Sequence, residues 1–194
     1  MEYFSLNDGN RIPKIGTGTN TFGKENNDYM GKINGDYTPL VSALKSGYRL
    51  IDTAVSYRNE AVVGAGIKAS GVKRADIFLT SKIPGQPEFT ATDEKVHQTV
   101  SASLERLGTN YLDLYLIHHP WDDLDDIVRV WHDLEQEVDD GRIKSIGVSN
   151  FDETELGYLL ARARIKPVVD QIESNPASWN NGIIEFAKQT NVSP

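Results

Sequence analysis

Short apolar runs alternate along this chain with longer segments in which apolar residues recur every three or four positions. The first pattern predicts buried strands, and the second predicts amphipathic helices. The apolar runs lie at residues 48–53, 77–82, 111–117, 143–149 and 167–171. A helix precedes the first run, and we expect Thr38 to cap it, Pro39 to open it and Gly47 to end it. The alternation predicts βαβ units and a parallel sheet.

The amino-terminal residues predict a β-hairpin ahead of these units. Two extended segments, residues 2–6 and 14–18, flank an Asn-Asp-Gly-Asn turn, and Asp-Gly between such segments is a strong hairpin signal. Residues 19–36 show no periodicity and predict a long loop. About six βα units fit either an open doubly wound sheet or part of a (β/α)₈ TIM barrel. No glycine-rich dinucleotide motif follows a strand, which favours the barrel.

Composition excludes several classes of protein. The 194 residues include 28 acidic and 20 basic side chains, for a net charge of −8, and no cysteine. The lack of cysteine excludes a disulfide framework, a thiolate metal site and a cysteine nucleophile. The acidic balance argues against nucleic acid as a partner, and no apolar run approaches the roughly 20 residues of a membrane span. The amino terminus has no targeting pattern, so we expect a cytoplasmic protein. We also expect no metal site.

Each of the five predicted strands ends in a polar or charged side chain. These residues are Asp52, Lys82, His118, Asn150 and Gln171. Because the carboxyl ends of parallel strands share one face of the sheet, we expect these side chains to lie close together. Polar residues often end strands simply because the core ends there, so a structural role is the alternative for any one of them taken alone. The pair Asp52 and Lys82 argues more strongly for a functional site, since buried opposite charges are seldom placed without purpose.

A tyrosine beside the Lys82 ammonium is expected to have a lowered pKa, because the positive charge favours the phenolate. Tyr57, in the loop after Asp52, is the candidate. Such a tyrosine can protonate a developing alkoxide, and a neutral His118 can hydrogen-bond the same oxygen. This chemistry suits carbonyl reduction with a hydride from a cofactor. A barrel lyase or isomerase acting on sugar phosphates remains open on this reasoning.

Four ordered segments resemble motifs of the aldo-keto reductase family. Residues 47–54 (GYRLIDTA) look like the first family signature, and residues 144–151 (KSIGVSNF) look like the second. Residues 113–120 (DLYLIHHP) are similar to the strand that carries the active-site histidine. Residues 169–173 (VDQIE) resemble the strand that carries a ligand of the nicotinamide carboxamide. The matches span nearly the whole chain.

The resemblance implies that residues 1–194 form an α/β domain, a (β/α)₈ TIM barrel with an N-terminal hairpin, incomplete in this chain. It also implies reduction of small aldehydes or ketones with NADP(H). The implied catalytic residues are Asp52, Tyr57, Lys82 and His118, and the implied cofactor ligands are Ser149, Asn150 and Gln171. Tyr57 is the implied general acid, Lys82 and Asp52 lower its pKa, and His118 orients the carbonyl. The alternative is an inactive or binding-only relative with an incomplete cofactor site.

Three features depart from the family pattern. His119 stands where many members have tryptophan, so we expect a more polar substrate pocket, with plain packing under Pro120 as the alternative. The loop after the first strand lacks the family's tryptophan, so Phe22 is expected to line the pocket with His118 and His119. The chain stops at Pro194, where the seventh strand is expected to begin.

This stop predicts an incomplete barrel. Two sheet edges are expected to be open, one along the strand with Leu50 and Ile51, the other along residues 168–171. Open edges favour self-association through strand pairing. The family's basic segment for the adenosine 2′-phosphate falls in the units beyond the chain, so NADPH affinity is expected to be weak or nil.

Overall fold

A computed structural model describes residues 1–194 and contains one six-stranded parallel sheet and a separate antiparallel hairpin. The hairpin strands are β1 (Tyr3–Ser5) and β2 (Arg11–Pro13). The sheet strands are β3 (Gly16–Gly18), β4 (Leu50–Asp52), β5 (Phe78–Ile83), β6 (Leu112–Ile117), β7 (Ile143–Ser149) and β8 (Asp170–Gln171). Each strand from β3 to β8 pairs in parallel with the next one in the chain. This is the strand order of a (β/α)₈ barrel, which confirms the predicted fold class.

Helices connect the sheet strands. They are α1 (Thr38–Lys45), α2 (Glu60–Ser70), α3 (Pro87–Thr90), α4 (Asp93–Leu107), α5 (Leu124–Asp139), α6 (Glu153–Leu160) and α7 (Asn181–Gln189). The predicted cap at Thr38 is wrong, because Thr38 is already the first residue of α1. The Asp36 carboxylate instead accepts hydrogen bonds from the Thr38 backbone N–H at 2.9 Å and hydroxyl at 2.6 Å. None of these helices has the length and apolar character needed to cross a membrane.

The hairpin register differs from the sequence expectation. The Leu6 N–H donates to the Asn10 carbonyl at 2.8 Å and closes the turn. The paired strands begin at the next residue on each side, with Ser5 opposite Arg11. The second arm is therefore β2 and not residues 14–18. Gly16–Gly18 instead form the first strand of the sheet, with Gly16 opposite Leu50.

The sheet edges also lie elsewhere than expected. The strand β4, which holds Leu50 and Ile51, is paired on both sides, with β3 and with β5, so the predicted edge there is wrong and β3 is the edge strand. At the other end, the Asp170 N–H donates to the Ser193 carbonyl at 2.9 Å, and the Ser193 N–H donates to the Val168 carbonyl at 3.0 Å. Ser193 thus forms a single parallel bridge with Val169, so the predicted open edge along residues 168–171 is partly paired.

The sheet packs apolar side chains on both faces. The larger cluster lies between sheet and helices and includes Trp131, which is fully buried. The smaller cluster lies on the concave face and comprises Leu6, Phe78, Leu114, Leu116, Val168 and Val169. Side chains two positions apart in a strand share a face, so Lys82 lies on the same face as Phe78 and His118 on the same face as Leu116. The concave face therefore changes from apolar to polar towards the carboxyl ends of the strands.

Candidate active site

Four of the residues singled out in the sequence meet where β4, β5 and β6 end. Tyr57 lies on a single 3₁₀ turn, Val55–Tyr57, directly after β4. The Lys82 Nζ lies 2.5 Å from Asp52 Oδ1 and 3.5 Å from the Tyr57 hydroxyl oxygen. The ring centroids of Tyr57 and His118 are 5.7 Å apart. One cation, one carboxylate, one phenol and one imidazole therefore share a single small volume.

The Lys82 ammonium is held at three points although its side chain is only 1% exposed. Besides Asp52 and Tyr57, it donates to the Thr53 carbonyl at 3.1 Å. Burial lowers the pKa of Lys82, and the Asp52 carboxylate opposes that shift. The second Asp52 oxygen accepts from Gln171 Nε2 at 2.9 Å, so Asp52 connects the end of β4 to the end of β8.

The protonation of Tyr57 differs from the sequence expectation. Burial, and after it the Asp52 carboxylate, raise the pKa of Tyr57 well above its usual range. The predicted lowering of the Tyr57 pKa is therefore wrong for the folded chain. Removing a phenolate from water and placing it near a carboxylate outweighs the nearby ammonium. The hydroxyl is held protonated, as a proton donor must be before it reacts.

The His118 ring is neutral near neutral pH. Burial, then the Lys82 and His119 charges, lower the pKa of His118 to about 4. Its Nδ1 is buried and has no hydrogen-bond partner. With the proton on Nε2, only a lone pair is left unmatched at Nδ1, which is less unfavourable than an unmatched N–H. His118 therefore offers its Nε2–H as a hydrogen-bond donor.

Ser149, Asn150 and Gln171 lie together at the ends of β7 and β8. The Ser149 hydroxyl donates to the Gln171 carbonyl at 2.9 Å. The Asn150 amide nitrogen lies 2.9 Å from Ser149 Oγ and 3.2 Å from the His118 carbonyl, and Asn150 itself adopts a left-handed φ of 62°. One hydroxyl and two side-chain amides provide both donors and acceptors, a set that complements a primary carboxamide such as that of nicotinamide.

His119 and Phe22, the remaining candidates, have different surroundings. His119 stacks on His118, with centroids 4.6 Å apart and planes at 17°, and lines a groove of about 290 Å³. Ser56, Pro84, Gly85, Gln86, His118, Pro120 and Trp121 are the other lining residues. Phe22 does not line this groove, but packs half-buried against the larger core cluster. Its turn is anchored by the Asn59 amide, which donates to the Thr19 and Phe22 carbonyls at 2.6 and 2.9 Å.

Sequence reasoning missed Tyr29, which lies against the site. Its ring meets the Tyr57 ring edge-on, with centroids 6.0 Å apart. The Tyr29 carbonyl accepts hydrogen bonds from Lys24 Nζ at 2.7 Å and from Arg58 at 3.0 Å. Lys24 is 2% exposed, and its ammonium lies 4.6 Å from the Tyr29 ring centroid. No local pattern in residues 19–36 marks Tyr29, because only the path of the loop in space brings it to Tyr57.

The strand order, together with polar residues collected at the carboxyl ends of the strands, defines a barrel protein of the α/β class. A family model described as the aldo/keto reductase family matches residues 14–194. The chain therefore belongs to the aldo/keto reductase family.

Individual relatives support the same assignment. The glyoxal reductase of Bacillus subtilis (strain 168) is 45% identical over 150 residues, which cover 76% of this chain and 51% of that protein. An aldo/keto reductase crystal structure from Brucella melitensis matches with a TM-score of 0.87 at 37% identity, covering 98% of this chain and 70% of that one. The Bombyx mori aldo-keto reductase in complex with NADP matches with a TM-score of 0.85 at 32% identity, covering 98% and 64%. The chain spans about half the length of the curated relatives it matches.

Proposed function

We propose that this protein reduces small aldehydes or ketones to alcohols with NADP(H). The observation that carries the proposal is the contact of one buried Lys82 ammonium with both Asp52 and the Tyr57 hydroxyl, beside a neutral His118. The reductases among the relatives, and the Bombyx mori protein in complex with NADP, support the same chemistry.

In the proposed reaction, the substrate oxygen accepts hydrogen bonds from the Tyr57 hydroxyl and from His118 Nε2–H. These donors orient the carbonyl and stabilise the negative charge that develops on its oxygen. NADPH held by Ser149, Asn150 and Gln171 would supply a hydride to the carbonyl carbon. Tyr57 then transfers its proton to the oxygen, which completes the alcohol.

Lys82 stabilises the phenolate that forms when Tyr57 loses its proton. Before reaction the hydroxyl is protonated, because burial raises the pKa of Tyr57. As the proton departs, the ammonium 3.5 Å away stabilises the charge that forms. Asp52 and the Thr53 carbonyl hold the ammonium in place for this purpose. The interaction between Lys82 and Tyr57 is thus stronger in the transition state, where the phenolate charge develops, than before the reaction. An interaction of this kind lowers the activation barrier.

Ser149, Asn150 and Gln171 are the proposed ligands of the nicotinamide carboxamide. Their hydroxyl and amide groups lie at the same end of the sheet as Tyr57, with Gln171 already hydrogen-bonded to Asp52. A carboxamide bound there is held close to the proposed proton donor. Phe22 stays a proposed wall of the substrate pocket on the resemblance of its loop alone, since it packs against the larger core cluster and does not line the groove.

Two measurements on the 194-residue protein test the proposal. NADPH binding is followed by quenching of tryptophan fluorescence, and turnover is followed by loss of NADPH absorbance with propanal as substrate. Binding together with turnover supports the proposal. Binding without turnover of any carbonyl in a broad panel identifies the binding-only alternative. Absence of both at NADPH concentrations high enough to detect weak binding, with the protein folded by circular dichroism, contradicts the proposed function of this chain.

A further inference from the structure

We propose that Lys24 is a positioning residue of the candidate active site. Its buried ammonium holds the Tyr29 ring against Tyr57 and so limits the access of water to the Tyr57 hydroxyl. The proposal rests on the proposed function of the site, because the effect of Lys24 is exerted on the proposed proton donor. It adds no step to the reaction.

The Lys24 ammonium is buried among neutral partners. It donates hydrogen bonds to the Asn20 and Tyr29 carbonyls, each at 2.7 Å, and lies 4.6 Å from the Tyr29 ring centroid, within the range of a cation–π contact. Burial lowers the pKa of Lys24, the Arg58 charge adds to this shift, and Asp28 opposes it. A cation that is costly to bury and has only neutral acceptors indicates that these contacts serve a purpose.

The ammonium joins two parts of the loop, the base (residues 19–22) and the tip (residues 24–33). The base is fixed beside α2, since the Asn59 amide, just before that helix, donates to two of its carbonyls. The tip closes on itself through an antiparallel bridge between Lys24 and Ile33. Lys24 begins the tip, and its ammonium contacts the Asn20 carbonyl of the base and the Tyr29 carbonyl of the tip. It therefore holds the tip down on the base.

Tyr29 is in turn fixed to the turn that carries Tyr57. Its carbonyl oxygen has two lone pairs, which accept from Lys24 Nζ and, at 3.0 Å, from Arg58 Nη2. Arg58 directly follows Tyr57 and ends the 3₁₀ turn in a left-handed conformation, with φ 61°. The Tyr29 hydroxyl makes a long contact of 3.4 Å with the Ser56 carbonyl in the same turn. Lys24 thus reaches Tyr57 through the backbone and the ring of Tyr29.

Loss of the ammonium is expected to release the tip without unfolding the protein. The Asn20 carbonyl can turn to water, because Asn20 is exposed, and the Tyr29 carbonyl keeps only Arg58. No residue of the tip belongs to either apolar core cluster. Burial is the first cause of the raised pKa of Tyr57, and Tyr29 contributes to it, so water beside the hydroxyl is expected to lower that pKa.

A pair of side chains that differ only in charge can be made at this position. The chain contains no cysteine, so Lys24→Cys provides a single thiol. Alkylation in urea with 2-bromoethylamine gives a side chain of lysine length that ends in an ammonium, and alkylation with 1-bromopropane gives the same shape ending in a methyl group. Both proteins are refolded in parallel with the wild type. Lys45→Cys, at an exposed position on α1 and alkylated in the same two ways, is the matched control.

The position of Tyr29 relative to Tyr57 is measured without turnover. The ring signals of Tyr57, assigned by their loss in Tyr57→Phe, are recorded by NMR in the protein without cofactor, where the ring current of the edge-on Tyr29 displaces them. We expect the aminoethylated protein to keep the wild-type signals. The propylated protein should shift them towards their positions in Tyr29→Ala, while still unfolding cooperatively in urea. The two Lys45→Cys products should both match the wild type.

Turnover measures the consequence for the reaction. We expect kcat of the propylated protein to be at least about 3-fold below that of the aminoethylated protein, a small part of what a positioned proton donor contributes. The alkaline limb of its pH–rate profile should lie at lower pH, and the Kd for NADPH should be equal in the two proteins.

The outcomes separate Lys24 from the proposed function. If the wild type reduces no carbonyl, the proposed function fails, and the NMR comparison alone decides whether Lys24 positions Tyr29 against Tyr57. Equal Tyr57 signals in the two alkylated proteins, or equal pH–rate profiles in an active protein, would overturn the inference. A propylated protein that no longer folds would also overturn it, because Lys24 would then support the whole fold and not the loop.

Discussion

Neighbouring residues of β5, Ser81 and Lys82, lie on opposite faces of the sheet and belong to two buried polar clusters of different character. On the helix side, Glu60 accepts hydrogen bonds from Ser81 at 2.5 Å, from Ser103 at 3.2 Å and from Arg106 at 2.6 Å. Both carboxylate oxygens are matched, and Glu60 is 1% exposed. Both oxygens of the Glu60 carboxylate thus have protein partners, and we infer that the role of this cluster is to hold α2 and α4 against the sheet.

The cluster on the concave side is incomplete by comparison. The Tyr57 hydroxyl has only one long contact, to Lys82 at 3.5 Å, and His118 Nδ1 has no partner. The pKa values of Tyr57 and His118 are both displaced by burial, upward and downward respectively. Buried polar groups are almost always matched in proteins, so spare capacity at one end of a sheet indicates a place for a ligand. The number of polar groups without a hydrogen-bond partner thus distinguishes the structural cluster around Ser81 from the functional cluster around Lys82.

The largest expected effect is on the concave side. Tyr57→Phe removes the proposed proton donor and leaves the amide side chains for the carboxamide intact. We expect kcat to fall by about 10²–10⁴-fold, while the Kd for NADPH changes less than about 3-fold. Stopped-flow turnover and fluorescence titration measure the two quantities. A surviving rate above about a tenth of the wild-type rate would remove Tyr57 from the role.

The second prediction compares how much each cluster contributes to the free energy of unfolding. Glu60→Gln removes the buried carboxylate that accepts from Ser81 and Ser103 and pairs with Arg106, whose side chain is 40% exposed, and we expect it to lower the free energy of unfolding by about 1–3 kcal/mol. Lys82→Met leaves Asp52 without its ammonium, but Asp52 is 18% exposed and keeps its Gln171 partner, and the removed ammonium was itself costly to bury, so we expect a smaller loss of stability together with a loss of turnover. Urea unfolding of both variants, with exposed Glu185→Gln as the control, measures the difference. A larger loss in Lys82→Met than in Glu60→Gln would contradict the division into structural and functional clusters.

Much of the concave cluster could be predicted because strand periodicity and strand ends are local properties. Asp52, Lys82 and His118 each end an apolar run, and parallel pairing brings such ends together. The pKa of Tyr57 could not be predicted in the same way, since it depends on burial that only the folded chain defines. Likewise, the register of the hairpin was decided by closure of its turn at Leu6, which alternation along the chain does not encode.

Asp170, outside both clusters, is a third buried polar side chain with an oxygen that lacks a hydrogen-bond partner. Its Oδ1 accepts from the Phe151 N–H at 3.3 Å, whereas its Oδ2 is buried without a partner. Burial raises the pKa of Asp170 to about 7 from a usual value of 3.8. Between these values the folded state holds a proton that the unfolded state has lost. Stability is therefore expected to fall as the pH rises from about 4 to about 7.

Asp170→Asn removes this dependence on pH, because the amide stays neutral. At pH 8 we expect the variant to be more stable than the wild type by about 1–3 kcal/mol, and at pH 4 to be equally stable. Thermal unfolding at pH 4, 6 and 8 measures the difference in Tm. An equal effect at all three pH values would show that the substitution acts through packing and not through ionisation.

The smallest expected effect concerns Tyr29, which completes one side of the concave cluster from outside the sheet. Its ring meets Tyr57 edge-on, a contact of about 0.5–1.5 kcal/mol, and its loop is held by Lys24 and Arg58 at a single carbonyl. Tyr29→Ala admits water beside Tyr57, and since burial and Tyr29 both raise the pKa of Tyr57, we expect that pKa to fall.

We expect kcat of Tyr29→Ala to decrease about 3–10-fold, with the alkaline limb of the pH–rate profile displaced to lower pH. Tyr29→Phe is expected to keep kcat close to the wild-type value because the edge contact is retained. Tyr48→Ala, at an exposed position outside the site, is the control for general loss of an aromatic ring. A purely structural role for Tyr29 predicts lower stability with an unchanged pH profile. The profile therefore distinguishes a loop that only packs against the site from one that sets the protonation of its central hydroxyl.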